Sequence, residues 1–383
     1  MGSEMCIRDR RILRNSREKV GISMSRDELT IIDLFAGVGG LSLGFEMEGF
    51  HVLLANEYDP SIAEAYIRNR DNPNMIVADI KSLPIKDTFG KYRDKVTVVV
   101  GGPPCQGYSQ KGQRKTINDD RNFLFRYFVE VVREVQPLYF VMENVPNLLT
   151  AENGYFKNEI TTLFKDMGYI VNADVLCAAN YGVPQNRNRA FIIGKKGGQV
   201  PVDMPIKENA ITTIWDAISD LNYLDSGEGA NEQEYLNEPM SEYQKRMRAG
   251  SPKLFGHVAT NHSEVALNRM RMIPPKGGKE CLPPEQLTKS IYSGTWERMD
   301  AEDVSVTITT RFDTPASGKF MHPYLNRAIT VREAARIQSF PDTFHFYGTK
   351  TSQMKQVGNA VPPLMAQAVA KAILKDMEME RHE

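Results

Sequence analysis

A cysteine at the end of an apolar run is the residue best placed to do chemistry. Residues 96–100 are apolar and mostly β-branched, which predicts a strand buried on both faces. A Gly-Gly-Pro-Pro sequence ends this strand, and Cys105 follows directly. A thiol there could act as a nucleophile, because active sites collect at the strand ends of α/β sheets. The alternative is an inert buried cysteine, the usual state of a lone intracellular Cys.

A glycine-rich turn follows another predicted strand, at residues 29–34. The sequence Asp-Leu-Phe-Ala-Gly-Val-Gly-Gly occupies 33–40, and a helical pattern comes next. Strand, glycine turn and helix form the first unit of a nucleotide-binding sheet, because glycines let the backbone approach a ligand closely. Ser42 stands where the dinucleotide fingerprint Gly-x-Gly-x-x-Gly has its third glycine. The turn therefore indicates a nucleotide-like ligand but departs from the dehydrogenase pattern.

Three acidic residues also follow predicted strands. Glu57 could accept hydrogen bonds from ribose hydroxyls, or it could stabilise the N-terminus of the next helix. Asp79 could accept a hydrogen bond from an adenine amino group, or it could cap a turn. Glu143 would face the same crevice as Cys105, or it could be a buried capping residue. The residues alone leave these alternatives open.

Two arginines occur in the sequence Gln-Asn-Arg-Asn-Arg at 185–189. Arg187 and Arg189 lie on the same side of an extended chain, because side chains alternate along a strand. In isolation they would be a pair of surface arginines. Their importance therefore depends on what the rest of the chain places beside them.

The elements that must position these residues alternate between strand and helix as far as residue 195. This alternation predicts a doubly wound, mostly parallel, Rossmann-like α/β sheet. The predicted strands are 29–34, 51–55, 75–78, 96–100, 138–142, 169–176 and 190–194. The predicted helices are 60–70, 121–135 and 156–167, with helical order returning at 331–338 and from the Pro-Pro pair at 362–363 to 379.

The alternation fails in the middle of the chain, where Pro, Gly and charged residues are frequent. We interpret 197–321 as a second, smaller, irregular domain with a helix at 214–221 and extended stretches such as 304–311. Residues 27–196 and 322–383 would be the two parts of the larger domain. Residues 1–26 are basic, have no signal-peptide core and are expected to be a disordered tail, in which Met24 could be the natural start.

Composition excludes several classes of protein. The 383 residues, 41% hydrophobic and 25% charged, are ordinary for a globular protein, and no apolar run is long enough to cross a membrane. Four scattered cysteines without metal-ligand spacing indicate a reducing compartment and no metal site. The net charge of −1 excludes a general polyanion binder.

The charge is nevertheless segregated along the chain. Residues 207–242 contain nine acids and one Lys, whereas 244–280 contain eight Lys and Arg and two acids. These stretches could be two solvated faces, or the second could form a local phosphate-binding surface.

Together these motifs resemble one family. Pro-Pro-Cys105-Gln, followed by an aromatic residue and Ser, resembles the nucleophile motif of the DNA (cytosine-5)-methyltransferase family of bacterial restriction-modification systems. Other family motifs are matched in order by the turn at 33–40, Asn56-Glu57, Asp79-Ile80, Glu143-Asn-Val, Gln185-x-Arg187-x-Arg189, Arg332-Glu-Ala-Ala-Arg and Gln356-x-Gly-Asn359. The resemblance covers 29–195 and continues from 322 to the end. The family places its variable target-recognition domain in the interval 197–321.

The resemblance implies methyl transfer from S-adenosylmethionine to carbon 5 of a flipped-out cytosine in a specific duplex DNA sequence, through a covalent Cys105 adduct. Glu143, Arg187 and Arg189 would surround the cytosine. The residues implied in S-adenosylmethionine binding are Phe35, Gly37, Gly39, Glu57, Asp79, Ile80, Leu124, Asn359 and Ala360. No metal is implied. The expected setting is a monomer in the bacterial cytoplasm, associated with the nucleoid when acting on DNA, and any cognate restriction endonuclease would act separately.

Three other functions remain as alternatives. A tRNA cytosine-5 methylase is the nearest, but the large interval at 197–321 favours reading of DNA. A nicotinamide-dependent oxidoreductase leaves the cysteine motif unexplained, and a non-catalytic nucleic-acid-binding module leaves Cys105, Glu143 and the two arginines unexplained. We expect 197–321 to read the DNA sequence, mainly through the stretch 244–279, and the catalytic part to keep its fold without it.

Overall fold

The computed structural model describes residues 29–104, 123–288 and 293–382. Its strands are β1 Thr30–Leu34, β2 His51–Glu57, β3 Met75–Val77, β4 Val98–Gly101, β5 Tyr139–Asn144, β6 Tyr169–Cys177, β7 Gln185–Asn186, β8 Asn188–Lys196, β9 Gly229–Gln233, β10 Leu254–Val258 and β11 Ser305–Val306. Its helices are α1 Gly40–Glu46, α2 Pro60–Arg68, α3 Ile85–Phe89, α4 Leu124–Val135, α5 Asn147–Lys165, α6 Ile214–Ile218, α7 Glu242–Arg248, α8 Glu264–Met272, α9 Val331–Ile337, α10 Lys350–Asn359 and α11 Pro363–His382. None of these helices is long and apolar enough to cross a lipid bilayer.

Seven strands form the central sheet, in the order β3-β2-β1-β4-β5-β8-β6. The first five run parallel, whereas β8 is antiparallel to both of its neighbours. Only a short 3₁₀ turn at Ala178–Tyr181 and β7 lie between β6 and β8. Because a parallel return needs a crossover connection of about a dozen residues or more, β8 returns antiparallel to β6. The predicted doubly wound, mostly parallel α/β fold is therefore confirmed, with one reversed strand.

The inner strands are buried because helices cover both faces of the sheet. Every residue of β4 and β5 is buried, as expected for continuous apolar runs in a parallel sheet. Alternate side chains enter two separate cores: Val98 and Val100 join one, and Val99 joins the other. This double burial fixes where each strand ends, and so where the polar residues beyond it emerge.

Two of the predicted helices differ in where they begin, and α3 and α10 were not predicted. Helix α4 begins at Leu124, and the first predicted positions, 121–122, lie outside the described residues. Helix α5 consists of two parts joined by non-helical residues at 151–154, three of which in succession have positive φ. The predicted helix at 156–167 corresponds to the second part, and the short first part from Asn147 was not predicted.

The interval 197–321 contains more regular structure than predicted. Besides the expected α6, it contains α7, α8 and the antiparallel strand pair β9–β10, with α7 in the connection between the two strands. Capping boxes begin α6 at Thr213 and α7 at Ser241, and the Ser241 box was a readable sequence signal for the second helix. The predicted irregular segment is therefore partly ordered, while its limits stay a prediction.

This interval also packs into the main core. Side chains of α6, α7 and β10 share one apolar cluster with the central sheet and with α9 and α11. Polar contacts join the same parts, since His257 hydrogen-bonds the Thr330 hydroxyl at 2.9 Å and Arg332 donates to the Phe255 carbonyl at 2.8 Å. This packing argues against the expectation that the catalytic part keeps its fold without 197–321, because removal would expose the shared core, and the expectation stays a prediction.

Candidate active site

The predicted site residues collect at one edge of the sheet. Strands β1, β2, β4 and β5 are parallel, so their carboxyl ends lie together, and β8 begins there because it runs the opposite way. Register pairs Leu34 with both Asn56 and Gly101, and Glu143 with Phe191 of β8. The ends of β2 and β5 are three strand spacings apart, about 14 Å. One edge therefore offers two neighbouring sites, one beyond β1 and β2 and one beyond β4 and β5.

The chain leaves β4 through a close contact with β5. A Cβ atom on Gly102 would lie 2.8 Å from Glu143 Oε2, so only glycine fits without a shift. The Asn144 side chain donates to the Pro103 carbonyl at 2.7 Å and fixes the direction of the exit. Pro104 is exposed, whereas Pro103 is buried. The backbone thus reaches the surface immediately before Cys105, which itself lies outside the described residues.

Glu143 and Arg189 form an ion pair at this exit. Arg189 Nε lies 2.9 Å from Glu143 Oε1, and the two side chains are only 16% and 12% exposed. Burial raises the pKa of Glu143 above its ordinary value, while the charges of Arg189 and Arg187 oppose the rise. A carboxyl group in this position can share a proton with a ligand atom, and the arginine beside it can stabilise developing negative charge.

Arg187 occupies a different position from Arg189. Its side chain is fully buried, with Nη1 donating to the Ile308 carbonyl at 3.1 Å and Nη2 donating to the carbonyls of Gly358 and Ala360 at 3.0 and 2.9 Å. Its Nε has no hydrogen-bond partner among the described residues. Arg187 therefore ties three backbone segments together, and most of its donors are already used.

The glycine turn beyond β1 is held in an unusual backbone conformation. Phe35, Gly37 and Gly39 all have positive φ, at 54°, 57° and 85°. A Cβ atom on Gly37 would have nothing within 4 Å, so the space above this residue is open. The Gly37 amide donates to Glu57 Oε2 at 2.9 Å. The turn is thus open to a ligand on one side and anchored to the end of β2 on the other.

The structure bears on the alternatives for Glu57 and Asp79. Each Glu57 oxygen accepts one backbone amide hydrogen bond, Oε2 from Gly37 and Oε1 from Asp59, and can accept a further one. The residue that caps α2 is Asp59 and not Glu57. Burial raises the pKa of Glu57, and the backbone donors oppose the rise. Asp79 caps the short 3₁₀ turn that begins at Ile80, accepting the Lys81 amide at 3.0 Å. Its turn-capping role is observed, and adenine binding by Asp79 stays a prediction.

The remaining predicted cofactor residues approach the turn from two directions. Ile80 is buried, and Leu124 and Phe35 are half-buried against the same apolar core. Asn359 is exposed at the end of α10, and Ala360 follows it. A Cβ atom on Gly40 would lie 2.3 Å from the Val361 carbonyl oxygen, so this glycine brings the 359–361 segment directly against the turn.

An aromatic residue that the sequence prediction omitted completes this area. Tyr58 follows Glu57 at the end of β2 and is 68% exposed. A ring in this position could stack on a planar base beside a ribose held by Glu57. With the open space at Gly37 and the spare acceptors of Glu57, the residues present fit a nucleoside-containing cofactor. The adjacent aromatic was visible in the sequence, but its exposure was not.

The basic stretch 244–280 is largely neutralised by acids. All of it is described, and five of its eight cations form ion pairs, namely Lys245, Arg248, Lys253, Arg271 and Lys276. Three of these partners, Asp220, Glu232 and Glu242, come from the acidic stretch before it. Most of this charge is therefore not free for phosphate, and reading of DNA by 244–279 stays a prediction.

The ranges that the structure describes contain no candidate metal centre. No group of three or more His, Cys, Asp or Glu side chains there is arranged to hold a metal ion.

Comparison with known proteins gives a consistent result. The family model of the C-5 cytosine-specific DNA methylases matches residues 29–375. Type II methyltransferase M1.HphI of Haemophilus parahaemolyticus is 39% identical over 351 residues, covering 91% of this chain and 87% of the relative. Type II methyltransferase M.DdeI of Desulfomicrobium norvegicum is 38% identical over 372 residues, covering 90% and 88%.

Solved structures agree with the sequence relatives. A putative DNA modification methyltransferase encoded within an E. coli prophage has a TM-score of 0.75 at 26% identity, covering 91% of this chain and 99% of that one. The Entamoeba histolytica methyltransferase EhMeth shares the fold, with a TM-score of 0.61 at 15% identity and coverage of 91% and 99%. The oxidoreductase and non-catalytic alternatives are thereby excluded. The chain belongs to the C-5 cytosine-specific DNA methylase family, and it is a DNA (cytosine-5)-methyltransferase.

Proposed function

We propose that this enzyme methylates carbon 5 of a flipped-out cytosine in a specific duplex DNA sequence, through a covalent adduct with Cys105. The observation that carries the proposal is the Glu143–Arg189 pair at the end of β5, beside the point where the chain surfaces before Cys105. A thiol cannot reach carbon 6 of a stacked base, so the cytosine must leave the duplex.

The chemistry assigns a task to each group. A bond forms between the Cys105 sulfur and carbon 6 as the 5,6 double bond opens, which makes carbon 5 nucleophilic. Charge develops toward ring nitrogen 3, where Glu143, whose pKa is raised by burial, can share a proton. The neighbouring Arg189 favours the thiolate and holds the base. After carbon 5 has accepted the methyl group, loss of its proton breaks the sulfur–carbon bond and releases Cys105.

S-adenosylmethionine, on which the family depends, supplies an electrophilic methyl group when it is bound. We assign it to the turn beyond β1, with Glu57 accepting the ribose hydroxyls and Tyr58 facing the adenine. The other residues assigned to this pocket are Phe35, Gly37, Gly39, Asp79, Ile80, Leu124, Asn359 and Ala360. Arg187 would position the pocket rather than contact the base, because its donors hold the carbonyls of Ile308, Gly358 and Ala360.

The proposed setting follows the relatives, which are named Type II methyltransferases of bacteria. The enzyme would be the modification component of a restriction-modification system, working as a monomer at the nucleoid in the bacterial cytoplasm. A cognate endonuclease would act separately. The interval 197–321 would read the target sequence, through side chains that face base edges.

Covalent trapping tests the proposed nucleophile. DNA with 5-fluorocytosine at the target should trap the parent enzyme, because fluorine cannot leave carbon 5 as a proton does, and the adduct should survive denaturing electrophoresis. Cys105→Ala should form no adduct, whereas the matched variant Cys281→Ala, which alters an exposed free thiol, should trap like the parent. Trapping by Cys105→Ala would refute the assignment. Labelled S-adenosylmethionine with duplex DNA or tRNA in parallel tests the RNA alternative.

A further inference from the structure

An arginine outside every family motif lies beneath the glycine turn. Arg70 follows α2, and its side chain is only 9% exposed. Its Nη2 donates to the Gly39 carbonyl at 3.1 Å and to the Ser42 hydroxyl at 3.2 Å. The contact joins residues 31 positions apart and is made at Gly39, whereas the open space of the turn lies at Gly37.

The guanidinium of Arg70 is held in a defined orientation. Its Nε and Nη2 donate to the two carboxylate oxygens of Glu46, at 2.9 and 2.7 Å. Its planar group lies over the Tyr66 ring, 3.8 Å from the centroid. A bidentate partner and an aromatic face together remove most of the freedom of a long side chain. Arg70 is therefore a fixed donor at the turn and not a surface cation.

The turn is shaped around this contact. Gly39 has a φ of 85°, and a Cβ atom on it would lie 2.6 Å from the Tyr66 ring and 2.7 Å from Arg70 Nη2. Ser42, which replaces the third glycine of the dinucleotide fingerprint, donates to the Gly39 carbonyl at 3.3 Å and accepts from Arg70. The serine that replaces the third glycine thus provides the second acceptor for Arg70 at the turn, beside the Gly39 carbonyl.

We propose that Arg70 is a positioning residue of the cofactor site, which, together with Ser42, holds the Gly39 end of the turn while Glu57 holds the Gly37 end. This inference rests on the proposed assignment of S-adenosylmethionine to the turn. With the Gly39 carbonyl held by Arg70 and Ser42 and the Gly37 amide held by Glu57, the turn keeps one backbone shape before the cofactor arrives. Such preorganisation increases affinity, because the cost of ordering the loop is met during folding.

The buried carboxyl of Asp33 provides a second way to detect the contribution of Arg70, through the pH at which it titrates. Asp33 lies at the base of the turn, and neither of its oxygens has a hydrogen-bond partner among the described residues. Burial raises its pKa to about 7, the nearby Ser42 hydroxyl and then the positive charge of Arg70 lower it, and the charges of Glu46 and Glu57 raise it. Loss of Arg70 therefore moves this titration to higher pH, whereas a role limited to packing would leave it in place.

The test measures binding of S-adenosylhomocysteine by calorimetry at several pH values, with urea unfolding of each variant. Arg70→Ala should bind about tenfold or more weakly, since a charge-assisted hydrogen bond is lost, and the pH dependence of its affinity should shift upward. Arg70→Lys should recover part of the affinity, because an ammonium can reach only some of these acceptors. The matched control Arg68→Ala removes a half-exposed arginine paired with Glu64 and should bind like the parent.

Two further variants separate the outcomes. Ser42→Ala removes only a hydroxyl and keeps the fold, so it should weaken binding even if Arg70→Ala proves too unstable to measure. Glu57→Ala should weaken binding about 10- to 100-fold. If Glu57→Ala weakens binding while Arg70→Ala and Ser42→Ala match the parent in affinity and pH dependence, this inference is wrong. If Glu57→Ala also binds like the parent, the cofactor assignment itself fails.

Discussion

The buried side chain of Arg336 links the interval 197–321 to the C-terminal part of the chain, and we expect this link to contribute to the stability of both. Arg336 Nη1 and Nη2 lie 3.1 and 3.3 Å from the two oxygens of Asp220, in the interval 197–321. Asp342 accepts from the other edge of the guanidinium at 2.6 and 2.5 Å, and the Ala217 carbonyl accepts at 3.0 Å. The side chains of Arg336 and Asp220 are 0% exposed. All five N–H donors of the arginine are therefore used.

Asp220→Ala removes two of these five bonds at a site that water does not reach. Counted as two charge-assisted hydrogen bonds, the loss is about 1.5–3 kcal/mol for each bond. Counted as one broken buried ion pair, the loss is about 3–5 kcal/mol, so the two estimates agree. Asp342 remains and neutralises part of the charge, which argues for the lower half of that range. We expect unfolding free energy to fall by about 3–4 kcal/mol.

Urea unfolding followed by fluorescence and by far-ultraviolet circular dichroism measures this change. Both tryptophans, Trp215 and Trp296, lie within 197–321, so fluorescence reports on that interval and dichroism on the whole chain. The two transitions should coincide in the parent because the core is shared. Glu242→Ala breaks an exposed pair and should cost less than about 0.5 kcal/mol. A loss for Asp220→Ala no larger than this control, or a separate early fluorescence transition in the parent, would refute the reasoning.

Two other substitutions test single contacts. Asp33→Asn removes a carboxyl whose folded-state pKa is raised from 3.8 to about 7. The parent should therefore lose up to about 4 kcal/mol of stability as pH rises from about 4 to about 7, and the variant should lack this loss in urea unfolding. Gly358→Ala places a Cβ atom 2.2 Å from the Thr309 carbonyl oxygen, so it should cost about 1–3 kcal/mol and weaken S-adenosylhomocysteine binding beside Asn359. Gly90→Ala, where only a flexible side chain lies near at 3.1 Å, is the control, and equal stability of the two variants would contradict the predicted clash.

Local signals in the sequence were sufficient for the first half of the fold and for the strand ends that carry the candidate site residues. Strands β4 and β5 are apolar runs ended abruptly, β4 by glycine and proline and β5 by Glu143 and Asn144, so both their burial and their ends could be read directly. Parallel order then placed Glu57 and Glu143 at one edge, because the carboxyl ends of such strands always meet.

Contacts between distant residues could not be read in the same way. The direction of β8 depends on the two strands between which it lies, β5 and β6. Because β8 is reversed, Arg189 pairs with Glu143. Arg187 instead donates to the carbonyls of Ile308, Gly358 and Ala360. The two arginines had looked equivalent because residues two apart in an extended chain share a side.

The charge pattern of the sequence left its alternatives open for the same reason. The stretch 244–280 is basic in sequence, yet Lys253 pairs with Glu232 and Arg248 lies 3.9 Å from Asp220. Arg70 is the last residue of the predicted helix 60–70, and its contact with Gly39 follows only from the fold. The sequence by itself determined the strand-end residues and hence the chemistry, since those signals are local. Only the tertiary structure decided which charges are free, because a charge is neutralised by whatever the folded chain places beside it.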